Sequence, residues 1–330
     1  MNQALLTRLF KSIEGDKDSS LMKVAYSIIE DEKKKGHDKL ASKLTLILEK
    51  NLEKNFNQDL KAIRQKEFRI PADKRHRLPL ATHIEQDELR HEMVLSKEVE
   101  NKILRIENEY LARERLLHHG LKPRRKILLY GVSGCGKSMT AERVAFDLGL
   151  PFYKVRFDTI ISSYLGESAS NLQKLFESIE SYPCVLLLDE FDIIGKQRNL
   201  KNNDVGEIHR IVNILLGLLE EYDGQGILIA TTNIESSLDN ALFRRFDDFI
   251  ELPRPSEKEI IRLLENSFSA LKLLDDVVLK EYAKKLEGMS SAIVVKIAQD
   301  AAKRSVINAN DKISKVDLDE SFAENKNLNR

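Results

Sequence analysis

A glycine-rich segment near the middle of the chain carries residue types that bind phosphate groups. It reads Gly131-Val-Ser-Gly-Cys-Gly136-Lys137-Ser138, and it lies between a β-rich apolar run and a helical pattern. Glycines allow backbone N–H groups to face a phosphate, and the positive end of the following helix faces the same anion. Lys137 can reach the β- and γ-phosphates of a nucleotide, and Ser138 can place a hydroxyl on Mg²⁺. The segment predicts a phosphate loop.

Two adjacent acids follow a second apolar run and would complete this chemistry. Val185-Leu-Leu-Leu is followed directly by Asp189 and Glu190. Ligands of open α/β sheets bind at the carboxyl ends of the strands. We therefore expect Asp189 to bind Mg²⁺ together with Ser138, and Glu190 to polarise an attacking water. The alternative, a strand followed by a solvated acidic turn, is disfavoured by the phosphate loop upstream.

The elements that must position these residues are those of an α/β domain. Short apolar runs alternate with helical patterns from about residue 96 to residue 254, which predicts a parallel five-stranded sheet covered by helices on both faces. The predicted strands are residues 127–130, 152–157, 184–188, 227–230 and 249–252.

Helical spacing of apolar residues marks both ends of the chain. Residues 1–65 predict an N-terminal helical adaptor domain, and residues 66–95 a linker with a basic, proline-containing stretch. Residues 255–330 lose the strand signal and predict a second helical domain. The N-terminal helices suit either a structural bundle or a recruitment or oligomerisation module.

Composition limits the classes of partner. The 330 residues include 53 Lys and Arg and 53 Asp and Glu, so the formal net charge is zero and nucleic acid is a poor default partner. Two cysteines, Cys135 and Cys184, cannot form a disulfide framework. Apolar stretches fall short of the roughly 20 residues of a membrane span, and the N-terminus lacks the pattern of a signal peptide. We expect a cytoplasmic protein without membrane contact.

The order of motifs around and after Asp189 resembles the AAA family of ATPases. Residues 227–233 read Ile-Leu-Ile-Ala-Thr-Thr-Asn, and residues 239–247 read Asp-Asn-Ala-Leu-Phe-Arg-Arg-Phe-Asp. Together with Lys137 and Asp189, they extend the resemblance over about residues 90–325. The resemblance implies a P-loop NTPase core, ATP and Mg²⁺ as ligands, hydrolysis of ATP to ADP and phosphate, and a homo-oligomeric ring, by resemblance a hexamer.

The resemblance also implies roles for single residues near the end of the core. Asn233 matches an asparagine that helps to position the hydrolytic water. Arg244 and Arg245 resemble arginine fingers that contact the γ-phosphate bound to a neighbouring subunit, and their adjacency is most similar to the katanin and spastin branch. A surface salt bridge is the alternative for this pair.

The C-terminal helices resemble the AAA lid, which closes over the nucleotide base. Gly288-Met-Ser-Ser-Ala292 stands where the branch has Gly-x-Ser-Gly-Ala, and Met93-Val-Leu95 resembles the segment that contacts adenine. The predicted nucleotide-binding residues are Val94, Ser133, Gly134, Cys135, Gly136, Lys137, Ser138, Met139, Asp189 and Ala292.

A further segment indicates what the ATPase would act on. Tyr164-Leu165-Gly166 resembles the central pore loop, in which an aromatic residue grips an extended polypeptide, and a second pore loop is expected within residues 197–207. The resemblance thus implies ATP-driven remodelling or unfolding of a protein client.

Three hypotheses stay open beside that interpretation. The chain also resembles compact bacterial AAA proteins that control a partner, such as a subtilisin-like serine protease in a defence or toxin–antitoxin pair. Remodelling of DNA would require a basic channel. Within the phosphate loop, Cys135 could act as a redox switch, because surrounding N–H groups can lower the pKa of a thiol; the alternative is a small, inert side chain.

Overall fold

The computed structural model describes residues 70–73, 77–162, 167–190, 205–233, 244–308 and 312–326, and single positions before residue 70. Its internal contacts divide the chain into two units, Met1–Arg69 and Ile70–Arg330. In the first unit the described positions are helical; they are Ile28, Ile29, Lys33, Ala41, Leu44 and Thr45. Within these described ranges, no helix is both long and apolar enough to cross a bilayer.

The second unit is built on a six-stranded mixed sheet. Its order across the sheet is β1-β3-β4-β5-β2-β6. All neighbouring pairs are parallel except β1 with β3, which is antiparallel. The strands are β1 (Ala81–Ile84), β2 (Lys126–Tyr130), β3 (Phe152–Val155), β4 (Val185–Leu188), β5 (Ile227–Thr232) and β6 (Asp248–Glu251).

The predicted α/β class is confirmed, but the prediction of a five-stranded, wholly parallel sheet is wrong. The five apolar runs form β2 to β6, and β1 adds a sixth strand within the segment predicted as a linker. Its sequence, Ala-Thr-His-Ile, has two exposed central residues. An edge strand needs little burial, so its apolar pattern was too weak to detect. By contrast, every residue of β4 and β5 is buried, as expected of strands covered on both faces.

Helices pack against this sheet, and those within residues 257–325 form a C-terminal cluster, which we call the lid. Helices α1 and α3 pack against each other, as do α5 and α6, while α7 to α10 belong to the lid. The helices of the described residues are α1 (Lys97–Leu111), α2 (Arg113–His118), α3 (Lys137–Leu148), α4 (Phe157–Ser162), α5 (Glu167–Glu180), α6 (Val205–Glu221), α7 (Glu257–Ser267), α8 (Leu279–Lys285), α9 (Ser291–Ile307) and α10 (Lys315–Asn325).

The lid has its own apolar core. Ile260 of α7, Tyr282 of α8 and Ile297 of α9 are buried in one cluster, which also contains Val94 from the segment between β1 and α1. Capping boxes at Ser256 and Ser314 begin α7 and α10. The expectation of a lid without strands is wrong in detail, because β7 (Lys272–Leu273) and β8 (Lys312–Ile313) form a short parallel pair.

Glu107 is a buried acid in the contact between α1 and α3. Its side chain is 7% exposed, and its Oε1 lacks a hydrogen-bond partner among the described residues. Burial, and then the negative charge of Asp147, raise its pKa from 4.5 to about 7. The folded state thus binds this proton more tightly than the unfolded chain does. The free energy of unfolding must fall as the pH rises through the window from 4.5 to about 7, and it stays lowered above that window.

We therefore expect Glu107→Gln to stabilise the protein at about pH 8 by on the order of 1–3 kcal/mol. The amide removes the cost of a buried charge, so stability should also become less dependent on pH between about 5 and 8. Urea denaturation at both pH values measures this. Glu98→Gln, at an exposed acid of the same helix, is the control and should change stability by less than about 0.5 kcal/mol. An unchanged pH dependence in the Glu107 variant would contradict the assignment.

Candidate nucleotide-binding site

The phosphate-loop sequence forms a turn between β2 and α3. The strand ends at Tyr130, and α3 begins at Lys137. Gly136, which precedes the helix, has a φ of 92°, a left-handed conformation that favours glycine. The N-terminus of α3 therefore opens directly from the loop, and its free N–H groups are available to an anion.

Lys137 lies inside this loop. Its side chain is buried, and its Nζ donates hydrogen bonds to the carbonyl oxygens of Gly131 at 2.8 Å and Val132 at 3.0 Å. The loop therefore holds a positive charge among backbone groups at the site where a phosphate is expected.

Asp189 is joined to three other elements by its two carboxylate oxygens. Its Oδ1 accepts hydrogen bonds from Ser138 Oγ at 2.7 Å and Thr231 Oγ1 at 2.6 Å. Its Oδ2 forms an ion pair with Lys154 Nζ at 2.5 Å. Burial opposes ionisation of this carboxyl, but the hydrogen bonds from Lys154, Thr231 and Ser138 outweigh it and lower the pKa. Asp189 is therefore an ionised oxygen donor.

These donors fit Mg²⁺ bound together with a nucleotide. Magnesium prefers carboxylate and hydroxyl oxygens and takes further ligands from phosphates and water. Ser138 and Asp189 supply such oxygens, and they lie in direct contact. The described ranges contain no group of three or more His, Cys, Asp or Glu side chains that could hold a metal ion. Mg²⁺ at this site would therefore take further ligands from the nucleotide and from water.

Glu190 begins the turn after β4 in an uncommon backbone conformation. Its φ is 52°, which costs a residue with a side chain about 1 kcal/mol. Its N–H donates to Thr231 Oγ1 at 2.9 Å, while the carboxylate side chain is exposed. The same Thr231 hydroxyl donates to Asp189, so one β5 side chain positions both acids.

A cavity of 710 Å³ opens over these residues. Every predicted nucleotide-binding residue lines it, from Val94 to Ala292, together with Glu190 and Asn233. Its volume lies in the range of pockets for small ligands and cofactors. The lid helices contribute a further wall, which includes Leu263, Asn266, Ser267, Val295, Lys296 and Gln299.

The first turn of α9 docks directly on the phosphate loop. The N–H of Ala292 donates to the carbonyl oxygen of Gly134 at 2.9 Å. A Cβ built on Gly134 would lie 2.8 Å from Ser290 Oγ and 3.1 Å from the Cβ of Ala292. Gly134 also has a φ of 78°. The loop needs glycine here for its backbone conformation and for the close approach of the lid.

The segment that carries Val94 is anchored to α3 on its way to the cavity. Arg90 donates through its Nε to Glu142 Oε2 at 2.8 Å, and Glu142 is buried. The ring of His91 stacks on Phe146 with centroids 3.7 Å apart. Val94 then enters the apolar core of the lid. The predicted adenine-contact segment thus joins the phosphate-loop helix to the lid.

The two cysteines are both buried. Burial raises the pKa of Cys135, and a backbone hydrogen bond from Ser291 opposes this only in part. Its thiol is therefore protonated near neutral pH, which disfavours the hypothesis of a reactive redox switch. Burial also raises the pKa of Cys184 to about 12, in line with its predicted inert position in the core.

The two predicted arginine fingers do not line this cavity. Arg245 donates from Nε to the carbonyl oxygen of Leu216 at 3.1 Å and pairs with Glu220 at 3.1 Å, both on α6. Arg244 is exposed. Their action on a neighbouring subunit stays a prediction. The predicted pore-loop residues Tyr164 and Leu165 lie outside the described residues.

Three residues of the site are not identified by the sequence motifs. Thr231 belongs to the motif that ends in Asn233, but its contact with Asp189 depends on the pairing of β4 with β5. Lys154 reaches Asp189 from β3, and Arg90 lines the cavity from the predicted linker. Only the placement of Thr231 beside a recognised motif gave a signal in the sequence.

Comparison with known proteins agrees with this geometry. The family model for the ATPase family associated with various cellular activities (AAA) matches residues 127–254. A relative from Sinorhizobium fredii (strain NBRC 101917 / NGR234), described as uncharacterized AAA family ATPase y4kL, is 34% identical over 318 residues, which cover 96% of this chain and 93% of that protein. The matched regions contain the phosphate loop, both acids and Asn233. The chain belongs to the AAA family of ATPases.

Proposed function

We propose that the protein hydrolyses Mg²⁺-bound ATP in this cavity and uses the energy to remodel or unfold a protein client. The observation that carries the proposal is the convergence on one cavity of five side chains from the start of α3 and from the segments that directly follow β4 and β5. They are Lys137, Ser138, Asp189, Glu190 and Asn233.

Binding would depend on the loop and the lid together. The N–H groups at the start of α3 and the Lys137 ammonium neutralise phosphate charge. Val94 and Ala292 line the cavity from the side of the lid, where an apolar base would be covered. Exclusion of water by such a lid strengthens the electrostatic contacts within the site.

Hydrolysis would be carried by the exposed carboxylate of Glu190, which accepts a proton from the attacking water. The Asn233 amide, which lines the same cavity, would orient that water. Thr231 fixes the backbone of Glu190 and the carboxylate of Asp189 relative to each other. When bound by Ser138 and Asp189, Mg²⁺ would neutralise charge on the phosphate oxygens.

Assembly into a ring would complete the site. Arg244 and Arg245 follow β5 but line no part of their own chain's cavity, which suits action across a subunit boundary. A head-to-tail interface would supply each site with residues from its neighbour, and it forms a ring when the rotation between subunits closes. We propose a hexamer from the resemblance to the AAA family, and a relation to the katanin and spastin branch from the adjacent arginine pair.

The action on a client would be tested by ATP-dependent unfolding of a tagged fluorescent protein. We expect Tyr164→Ala to slow unfolding about tenfold or more, because the aromatic contact with the client polypeptide is lost. ATP hydrolysis should persist, because the substitution leaves the catalytic residues unchanged. Tyr164→Phe is the matched control and should retain unfolding.

Absence of any unfolding by the wild-type ATPase would contradict the motor function. Co-purification of a stoichiometric protease in that case would instead favour the regulatory hypothesis. ATP hydrolysis, measured in parallel, separates a failed motor from an inactive preparation.

A further inference from the structure

The carboxylate of Asp189 already has a cation beside it. Its Oδ1 accepts from two hydroxyl groups, and its Oδ2 lies 2.5 Å from Lys154 Nζ. An incoming divalent ion therefore meets a carboxylate whose charge is compensated.

Lys154 is held in this position by the sheet. Lys154 lies on β3 and pairs in register with Leu187 of β4. Leu187 is two residues before Asp189. On either side of Lys154, Tyr153 and Val155 are buried, so the backbone is fixed while the lysine side chain crosses the ends of the strands. The contact thus results from the parallel pairing of β3 with β4.

The ion pair between Lys154 and Asp189 is partly exposed to solvent, so a competing cation can replace the ammonium. The side chain of Asp189 is 13% exposed, whereas that of Lys154 is 45% exposed. Half-exposed lysine–carboxylate pairs contribute less than about 1 kcal/mol, because water solvates the released ammonium. Three other basic side chains line the cavity among the described residues. Lys137 donates to loop carbonyls, Lys296 pairs with Asp300, and Arg90 donates to Glu142 and feels the charge of Asp189 without a direct hydrogen bond to it.

We propose that Lys154 is a positioning residue that acts as the resident counter-ion of Asp189 and competes with Mg²⁺ for it. This inference rests on the proposed binding of Mg²⁺ and ATP. In the absence of the metal, Lys154 shields the triphosphate from the charge of Asp189. When the metal–nucleotide complex binds, the ammonium is displaced into solvent. Lys154 therefore sets the Mg²⁺ concentration at which the site changes from metal-free to metal-bound nucleotide.

Loss of Lys154 should raise the affinity for Mg²⁺ and lower the affinity for metal-free ATP. Because these two changes are opposite, binding measurements alone can test the proposal. In Lys154→Met, we expect the Mg²⁺ concentration at half-saturation to fall about three- to fivefold, as the competing cation is gone. Metal-free ATP should bind about three- to fivefold more weakly, because Asp189 is left as an uncompensated anion. Fluorescent ATP, titrated in a chelator and then with increasing Mg²⁺, measures both quantities.

Two variants serve as controls. Lys154→Arg retains the charge and should retain both wild-type values within about twofold. Lys285→Met removes a lysine of similar exposure, 44%, from an ion pair with Asp319 in the lid, and it should change neither value.

The outcomes distinguish the possible roles of Lys154. Weaker ATP binding to the same extent with and without Mg²⁺ would overturn the proposal and indicate direct phosphate contact. An unchanged Mg²⁺ midpoint in a folded Lys154→Met variant would show that the ion pair is only structural. Failure of the wild-type protein to bind ATP at all would refute the proposed function itself.

Discussion

Replacing Glu190 by glutamine is expected to lower kcat for ATP hydrolysis about 10³-fold. A positioned general base contributes on the order of 10²–10⁴ to a rate, and an amide cannot accept the proton of the attacking water. The side chain is exposed in the cavity and supports no described packing contact. ATP affinity should therefore stay within about threefold of wild type. Phosphate release and calorimetric titration with ATP measure the two effects.

A matched variant separates this chemistry from a general loss of charge. Glu180→Gln removes an exposed carboxylate at the end of α5, outside the cavity, and should leave turnover unchanged. Turnover above about a tenth of wild type in the Glu190 variant would contradict its role as the base. Because the inactive variant should retain ATP, it is also suited to capture bound clients.

Loss of both arginines, in Arg244→Ala combined with Arg245→Ala, is expected to reduce hydrolysis about 10³-fold. Arginine fingers contribute on the order of 10³–10⁵ by stabilising charge in the transition state. Since neither side chain lines its own chain's cavity, the loss should be repaired by a neighbour. Mixing this variant with Glu190→Gln subunits places an intact base beside intact arginines at about a quarter of random head-to-tail interfaces. Phosphate release from the mixture should rise to that fraction of wild type.

The mixture also decides between the two interpretations of the arginine pair. No recovery in a mixture that assembles would indicate a surface salt bridge. Arg245 has one salt bridge of this kind, with Glu220 on α6, beside a hydrogen bond to the carbonyl oxygen of Leu216. Glu220→Ala is therefore the control: it removes that ion pair, retains both arginines and should leave hydrolysis within about twofold of wild type.

The sequence predicted the parts of the site that lie within single motifs. The phosphate loop, Asp189 and Glu190 follow strands whose apolar runs are continuous, because both faces of those strands are buried. Their shared edge of the sheet then brings them together. Val94 and Ala292 were inferred from resemblance, and the structure places both in the cavity.

The missed features depend on the pairing of distant segments. Strand β1 has too few buried residues to give a recognisable apolar pattern in the sequence. Its antiparallel pairing with β3 makes the sheet mixed and not parallel. Lys154 and Thr231 reach Asp189 only because β3 and β5 flank β4, an order that composition and periodicity do not reveal. The left-handed backbone of Glu190 likewise depends on its contact with Thr231.

The contact between the phosphate loop and the lid has a consequence for how this chain can evolve. Gly134 and Ala292 come from separate structural regions, yet their backbones approach within one hydrogen bond. A side chain added at position 134 would lie too close to Ser290 and Ala292 for the two regions to keep this contact. These positions are therefore expected to vary together among descendants of this sequence. A small residue at position 292 of the lid should therefore accompany glycine at position 134 of the phosphate loop.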